Sequence, residues 1–374
     1  MPAPPDFEVG RRLRPVAKVL PARARSHNRA LVLQTLYHGT GLSRADLARA
    51  TGLTRVTISD LVAELLDDGL VVEKGPRDEA RPGKPAVLLD INHDVAQIIG
   101  IDLSEDVVFR GAVLGIDGQV VERAQTALDG AVGEEALGKV LSLVDRLRGR
   151  STRRLLGIGI GTPGVVTPEG LVDSAPNLGW TRLQLQETVT SYTGTRSYVG
   201  NDANVAALAE YGFGPADGDM IMVKLGHGVG AGLIVSGSLV WGSRYAAGEI
   251  GQITTVGEAN GTAKALETVL AVPRLREALS VPGASGDGVL EDAGRRLGEA
   301  LVPVVGALNP AEVVLSGPED LVEGVFLAAV LDTLRRQTMN GFHTGVTVRM
   351  TRLGADIVLR GAAVLVLSRE LGVS

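Results

Sequence analysis

The sequence predicts an α/β protein, a small N-terminal winged helix-turn-helix followed by a larger body of alternating strands and helices. Three observations carry this. Residues 28–69 hold three short apolar stripes at helical spacing, each bounded by cap residues or glycines. Residues 70–91 read as strand, charged tip and strand. From Ala96 onward, strands and helices alternate to the last residues, the pattern of an α/β domain.

Residues 1–25 mix Pro, Arg and Ala without a helical or strand period and are expected to form a flexible basic arm. A first helix is expected from Asn28, with Leu31, Leu33, Leu36 and Tyr37 at helical spacing and Gly39 at its end. Ser43 caps the second helix, with Asp46 three residues on completing a short capping box and Gly52 ending it. Thr54 caps the third, whose stripe is Ile58, Leu61, Val62, Leu65 and Leu66, and Gly69 closes it. Two helices joined by the tight Gly52–Leu53 turn make a helix-turn-helix, and LVVEKG, the tip PRDEARPGKP and AVLLDI make its wing. Such a module places the early residues of its second helix in the major groove. Arg55, Thr57 and Ser59, off the apolar stripe and preceded by Thr54, are therefore the candidate DNA contacts. Lys74, Arg77, Arg81 and Lys84 on the wing would meet phosphate or the minor groove. Asp60, Asp67 and Asp68 repel phosphate and are expected to lie away from the duplex.

Composition narrows the rest. A chain of 374 residues with 45% apolar content exceeds one ordinary domain, so two or three folded units are expected. There is no cysteine, which excludes a disulfide scaffold, a thiolate zinc site, an iron–sulfur cluster and a cysteine nucleophile. No apolar run is long enough to cross a bilayer, and the N-terminal stretch has no apolar core of a secretory signal, so a cytoplasmic location without membrane contact is expected. Net charge is −6, unevenly spread: residues 1–92 hold 14 Lys and Arg against 11 Asp and Glu, the remainder 23 against 32. The front end is the better partner for a polyanion.

In the body, GIDLS, GIGTPGVV, PNLGW, NDANVAALAE, LGHGVGAGLIVSG, GEIGQI and VVLSG follow one another in that order behind the winged helix. From about residue 26 to the end, this arrangement resembles the ROK family of repressors and sugar kinases. The resemblance implies a two-lobed actin-like ATPase (sugar-kinase) fold with sugar held between the lobes. It divides the chain into the arm 1–25, a winged helix-turn-helix at 26–92, a first lobe at 93–200 completed by the C-terminal helix 355–374, and a second lobe at 201–354. Asn201 and Asp202 stand where a strand ends and a helix begins, a place where ligands collect in open sheets and where a helix cap is the plain alternative. The resemblance makes both sugar-binding residues and Asp202 the position of the kinases' general base. It adds Glu249 and Glu267 as sugar-binding carboxylates, with Asn177 as a polar contributor or simply a turn residue.

The chain departs from that family at three places. After Asp102, a glycine-rich phosphate turn is replaced by Leu103-Ser104-Glu105-Asp106, which sets two carboxylates where a triphosphate would lie. The second glycine turn keeps Gly226, Gly228, Gly230 and Gly232 but has His227 in place of threonine. The family's zinc ligands, one histidine and three cysteines, fall on Gln252, Glu258, Asn260 and Ala265, which cannot hold a structural zinc, although Gln252 can still hydrogen-bond a ligand. His343 lies in a GFHTG loop and is read as solvated.

The resulting expectation is a transcriptional regulator, a repressor by the family's common sign. It binds operator DNA, senses a sugar or sugar derivative in the cleft, carries neither zinc nor ATP, performs no phosphoryl transfer, and works as a homodimer or homotetramer. Two readings stay open beside it, an ATP-dependent sugar kinase with an appended DNA-binding domain and a DNA-binding regulator whose cleft senses nothing.

Overall fold

The structure, a computed structural model, describes residues 21–39, 41–76, 86–216, 218–256, 263–337 and 346–373. Two compact units emerge, Met1–Asp67 with Glu73–Asp90, and Asp68–Val72 with Ile91–Ser374.

The first unit contains α1 (Pro21–His38), a two-residue strand β1 (Leu42–Ser43), α2 (Arg44–Thr51), α3 (Arg55–Asp67) and most of β2 (Val71–Pro76) and β3 (Val87–Ile91), with the strands ordered β1-β3-β2. Helix α1 starts seven residues before the expected Asn28, so residues 21–25 are helical and the flexible arm does not extend to Arg25. Ala22 to Arg25 are strong helix formers and proline suits a first helical turn, so local propensity extends the helix beyond its apolar stripe. The capping box forms: Asp46 N donates to Ser43 Oγ at 3.2 Å and Ser43 N donates to Asp46 Oδ2 at 2.9 Å. Gly52 takes φ 70°, the left-handed turn that a β-carbon would disfavour. Val32, Leu33 and Leu36 from α1 close with Leu47 of α2 and Ile58, Leu61, Val62 and Leu65 of α3 into a buried core. Truncating one such leucine to alanine costs about 2–5 kcal/mol.

The second unit repeats one topology twice. In the first sheet β4 (Gln97–Asp102), β5 (Val108–Gly115) and β6 (Val120–Ala127) form an antiparallel meander. After α4 (Gly133–Arg148), β7 (Leu155–Thr162) pairs parallel with β4. The short strands β8 (Val165–Val166), β9 (Val172–Ala175) and β10 (Trp180–Leu183) form a side sheet, then α5 (Leu185–Thr193) leads to β11 (Ser197–Asn201), parallel to β7. The order is β6-β5-β4-β7-β11.

Helix α6 (Asp202–Phe213) crosses to a second sheet, in which β12 (Met220–Leu225), β13 (Val229–Val235) and β14 (Ser238–Leu239) again form an antiparallel meander. The ladder β15 (Thr254–Val256) and β16 (Ala263–Ala265) follows, then α7 (Glu267–Leu270), α8 (Val272–Leu279) and α9 (Gly286–Leu308). Strand β17 (Glu312–Ser316), helices α10 (Glu319–Val322) and α11 (Val325–Gln337), strand β18 (Thr347–Met350) and α12 (Ile357–Leu371) complete the chain. This sheet is ordered β14-β13-β12-β17-β18, element for element the order of the first.

The helix after each sheet's last strand packs on the other sheet: α6 lies on β12 and β13, α12 lies on β4 and β7, and the two helices pack on each other. Val205, Ala206, Ala209, Val358, Ala362 and Leu365 form the core between the lobes, joined by Met220 and Met222. The approach is close because of glycines. A β-carbon at Gly159 of β7 would stand 2.0 Å from Ala362 O, and one at Gly361 would stand 1.9 Å from Val205 O.

Candidate DNA-reading surface and ligand cleft

Helix α3 exposes Arg55, Val56, Ser59, Asp60, Ala63 and Asp67 along one side while burying Ile58, Leu61, Val62 and Leu65 on the other. Thr54 Oγ1 accepts from Thr57 N at 3.2 Å and meets Thr57 Oγ1 at 2.9 Å, so this threonine pair caps the helix start. Thr57 is half-buried, whereas Ser59 is exposed and its hydroxyl donates to Arg55 O at 2.9 Å. No acidic residue stands in the first turn, so Arg55 and the helix's positive end point the same charge outward. Val56, which the sequence reading passed over, is 71% exposed in that turn. Asp60 was expected away from the DNA, yet it follows Val56 by four residues on the same exposed side, because a helical spacing of four keeps side chains on one face. Its charge is partly answered within the unit: Arg25 of α1 pairs with Glu64, and Asp60 also favours the charged guanidinium. Lys74 on β2 is exposed, its Nζ 4.0 Å from Asp90 Oδ2. Arg77, Arg81 and Lys84, like His343, Glu258 and Asn260, lie outside the described residues.

In the second unit, the hairpin turn after the first strand of each sheet faces a common cleft. Asp102 ends β4 with its side chain 1% exposed, accepting from Ser104 Oγ at 2.6 Å and from Arg110 Nη2 at 2.7 Å. Arg110 also reaches Glu105 at 3.1 Å. Across the cleft, His227 Nδ1 stands 2.7 Å from Asp106 Oδ2. The two residues that depart most from a phosphate-binding pattern thus face each other. Beside them Lys224, which the sequence reading missed, lies 2.9 Å from Asp202 Oδ2, with side chains only 14% and 16% exposed. Burial pulls the lysine's pKa down, but the carboxylates of Asp202, then Asp102 and Glu105, outweigh it and raise the pKa above its ordinary value. A signal for it was present, since Met220, Met222 and Lys224 alternate along β12 on the face that packs against α6, and a lysine continuing a buried face needs a carboxylate partner.

The predicted ligand residues distribute as follows. Asn201 is the N-cap of α6: its Oδ1 accepts from Ala203 N at 3.0 Å and Asn204 N at 3.1 Å, while its Nδ2 donates to Gly164 O at 2.9 Å. Most of its amide is spent on structure, the alternative that the sequence left open. Asp202 is the first residue of α6 and points into the cleft toward Lys224. Glu249 is half-buried, and its carboxyl is pushed above the usual range by burial first and then by the charges of Asp202 and Glu267. Those three carboxylates therefore share one space, a set of acceptors suited to a polyhydroxylated ligand. Glu267 Oε2 also accepts from Val229 N at 3.0 Å, which ties it to the second glycine turn. Gln252 is exposed at the end of a one-turn helix, and Asn177 is exposed in the turn Pro176–Leu178.

The cleft opens into a cavity of about 620 Å³ lined by Ser104, Glu105, Arg110, Lys224, His227 and Ser316 among others. The fold would suggest magnesium and a nucleoside triphosphate there. The residues present do not fit them: Glu105 sets a carboxylate on the first turn, Asp106 and His227 join the two turns, and among the described residues no group of three or more His, Asp or Glu could hold a metal ion. Nor do Gln252 and Ala265 suit zinc. The segment that zinc braces in the family is flanked by a backbone ladder pairing Thr254 with Ala265 and Thr255 with Lys264.

Comparison with known proteins agrees with this architecture. Residues 98–280 match the ROK family and residues 26–81 match the MarR family. The chain carries a ROK-family domain behind a MarR-type winged helix. It is 34% identical over 233 residues to the xylose repressor of Caldicellulosiruptor bescii, an alignment covering 61% of this chain and 58% of that one. It therefore matches somewhat more than half the length of that relative. With the DNA-binding transcriptional repressor Mlc of Escherichia coli, identity is 24% over 361 residues, covering 87% of this chain and 89% of Mlc. The crystal structure of a ROK family transcriptional regulator, a homologue of the E. coli Mlc protein, superposes with a TM-score of 0.79 at 22% identity, covering 93% of this chain and 97% of that one. At this identity the likeness establishes the fold. Among the described residues, no helix is long and apolar enough to cross a membrane.

Proposed function

We propose that this ROK-family protein is a cytoplasmic transcriptional repressor whose winged helix binds operator DNA and whose cleft senses a sugar or sugar derivative without phosphorylating it. The observation that carries the non-catalytic part is the joining of the two phosphate turns by His227 and Asp106, with Lys224 held on Asp202. A general base must accept a proton from the attacking hydroxyl, and a carboxylate already paired with a buried ammonium is a poor one. Phosphoryl transfer also relies on a held metal and a phosphate cradle, and this cleft favours neither. The repressor names of its relatives and the exposed, positively charged start of α3 support the DNA-binding part.

Sugar hydroxyls would be taken by Asp202, at the junction where β11 of the first sheet passes into α6, and by Glu249 and Glu267 of the second lobe. Ligand would then bind one arrangement of the lobes better than another and shift operator affinity by that difference. A homodimer or homotetramer supplies the symmetry that paired half-sites need. The test is a melting-temperature screen of the full chain against sugars, aminosugars, phosphosugars and ATP with magnesium. A shift with a sugar and none with ATP supports the reading. An ATP shift followed by product formation revives the kinase, and silence with every sugar favours a cleft that senses nothing.

A further inference from the structure

The two sheets share one strand order, but the strands at their equivalent outer edges differ. Strand β14 has two residues, whereas β6 has eight, carries no proline and is exposed along much of its length. A long bare edge offers a row of unpaired N–H and C=O groups to any extended chain, above all to the same edge of a second copy. At the end of the pairing with β5, Leu128 N donates to Val107 O, and alternation along the strand then directs the carbonyls of Ala127, Gln125 and Arg123 outward. Each of the three is taken by a cation. Lys139 Nζ donates to Ala127 O at 2.9 Å, Arg146 Nη2 to Gln125 O at 2.9 Å, and Arg150 Nη1 to Arg123 O. Lys139 and Arg146, seven residues apart, share one side of α4, and Arg150 follows in the turn after it. Asp129 Oδ2 fixes Lys139 from 3.0 Å, and Thr126 Oγ1 also accepts from Arg146. At the opposite edge of the same sheet the chemistry is reversed. There, acceptors on α5 take outward N–H groups of β11: Ser197 N donates to Thr190 Oγ1 at 3.1 Å and Val199 N to Gln186 Oε1 at 3.3 Å.

We infer that Lys139, Arg146 and Arg150 form an edge seal that keeps β6 from pairing with β6 of a second copy of this chain. Their side chains occupy the outward carbonyls that an added strand would need, and they line its approach with positive charge, so two such edges repel. Without the seal, two copies related by a two-fold axis would meet antiparallel along β6 and join their five-stranded sheets into one. That contact is self-complementary and closed, a stable wrong dimer rather than a precipitate. It would compete with whatever pairing spaces two winged helices for an operator. The inference does not depend on the sugar-sensor reading.

The test follows the full chain by sedimentation velocity and by electron paramagnetic resonance of a spin label on Gln125→Cys, the only cysteine in a chain that otherwise has none. The otherwise unaltered chain is expected to show no broadening between labels. The triple variant Lys139→Gln, Arg146→Gln and Arg150→Gln, whose shorter amides cannot reach the strand, is expected to sediment at raised concentration as a species of twice the wild-type mass, with labels close enough to broaden each other. Loss of three positive charges from a chain of net charge −6 would by itself hold copies apart, so charge alone predicts the opposite. Adding Val121→Lys, a charge on the exposed strand itself, is expected to restore wild-type sedimentation. A folded triple variant with wild-type sedimentation and no broadening at any concentration would overturn the inference. So would association without broadening, which places the contact elsewhere. Should the triple variant fail to fold, Arg146→Gln alone, which frees only the middle carbonyl, is held to the same two readouts.

Discussion

His227 and Asp106 meet at 2.7 Å across the cleft, each standing on the hairpin turn that follows the first strand of its own sheet. Because the two sheets share one strand order, these turns are topological equivalents, and each departs from the glycine-rich pattern of a phosphate cradle. The departures complement each other, which makes the pair a joint between lobes. A double-mutant cycle of Asp106→Ala and His227→Ala, read by chemical denaturation, should give a coupling of about 0.2–1 kcal/mol, the range for partly exposed polar side-chain pairs. Strictly additive single effects would mean that the joint contributes nothing.

Glu249 gives a pH prediction with a definite sign. Its folded-state pKa is raised, chiefly by burial and then by Asp202 and Glu267. Between its ordinary value and that raised value, the folded state binds more protons than the unfolded state, so stability falls as pH rises through this window. Glu249→Gln should therefore melt higher than wild type at neutral pH, with the difference vanishing below about pH 4, where both states are protonated. A variant that melts lower at neutral pH would show that the carboxylate is held by a partner rather than strained by its neighbours.

The seam between the lobes should be sensitive to a single methyl group. Gly159→Ala would drive a β-carbon to 2.0 Å from Ala362 O, so either β7 or α12 must move. A loss of about 1–3 kcal/mol or more is expected, seen as a lower denaturant midpoint. Gly138, with nothing near its side-chain position, is the control and should tolerate alanine.

At the DNA-reading surface, Arg55→Ala should weaken binding to a duplex selected from a random pool by about 1–3 kcal/mol at fixed salt. Val56→Ala should cost about 1 kcal/mol and only where the base it touches is thymine, whose methyl group is the natural contact for an exposed apolar side chain. Replacing thymines one at a time with uracil locates that base: the substitution should weaken wild type and leave Val56→Ala unchanged. Equal weakening of both proteins at every thymine would place Val56 off the duplex.

Much of this was legible in the sequence because it rests on local chemistry. The Ser43–Asp46 box, the Gly52 turn and the buried stripe of α3 are each decided within a few residues, and all three form as the spacing predicts. The start of α1 was missed because helix propensity without amphipathic period leaves no stripe to follow. The cleft was legible only in part. Asp202 and the altered turns announced themselves by their departures, but Asp106 and His227 come together only through the doubled topology. Lys224 reads as a surface lysine until the face of β12 it occupies is known. Asn201 shows the opposite limit, a residue singled out for ligand whose amide mainly caps a helix.

The most direct test of the central claim is fluorescence anisotropy of the full chain on its selected operator, titrated with the sugar that raises its melting temperature, in EDTA and without ATP. A several-fold change in operator affinity, lost in Asp202→Asn with sugar-free affinity retained, is the predicted result. Operator affinity that ignores every sugar in EDTA yet responds once ATP and magnesium are added would contradict a metal-free sensor.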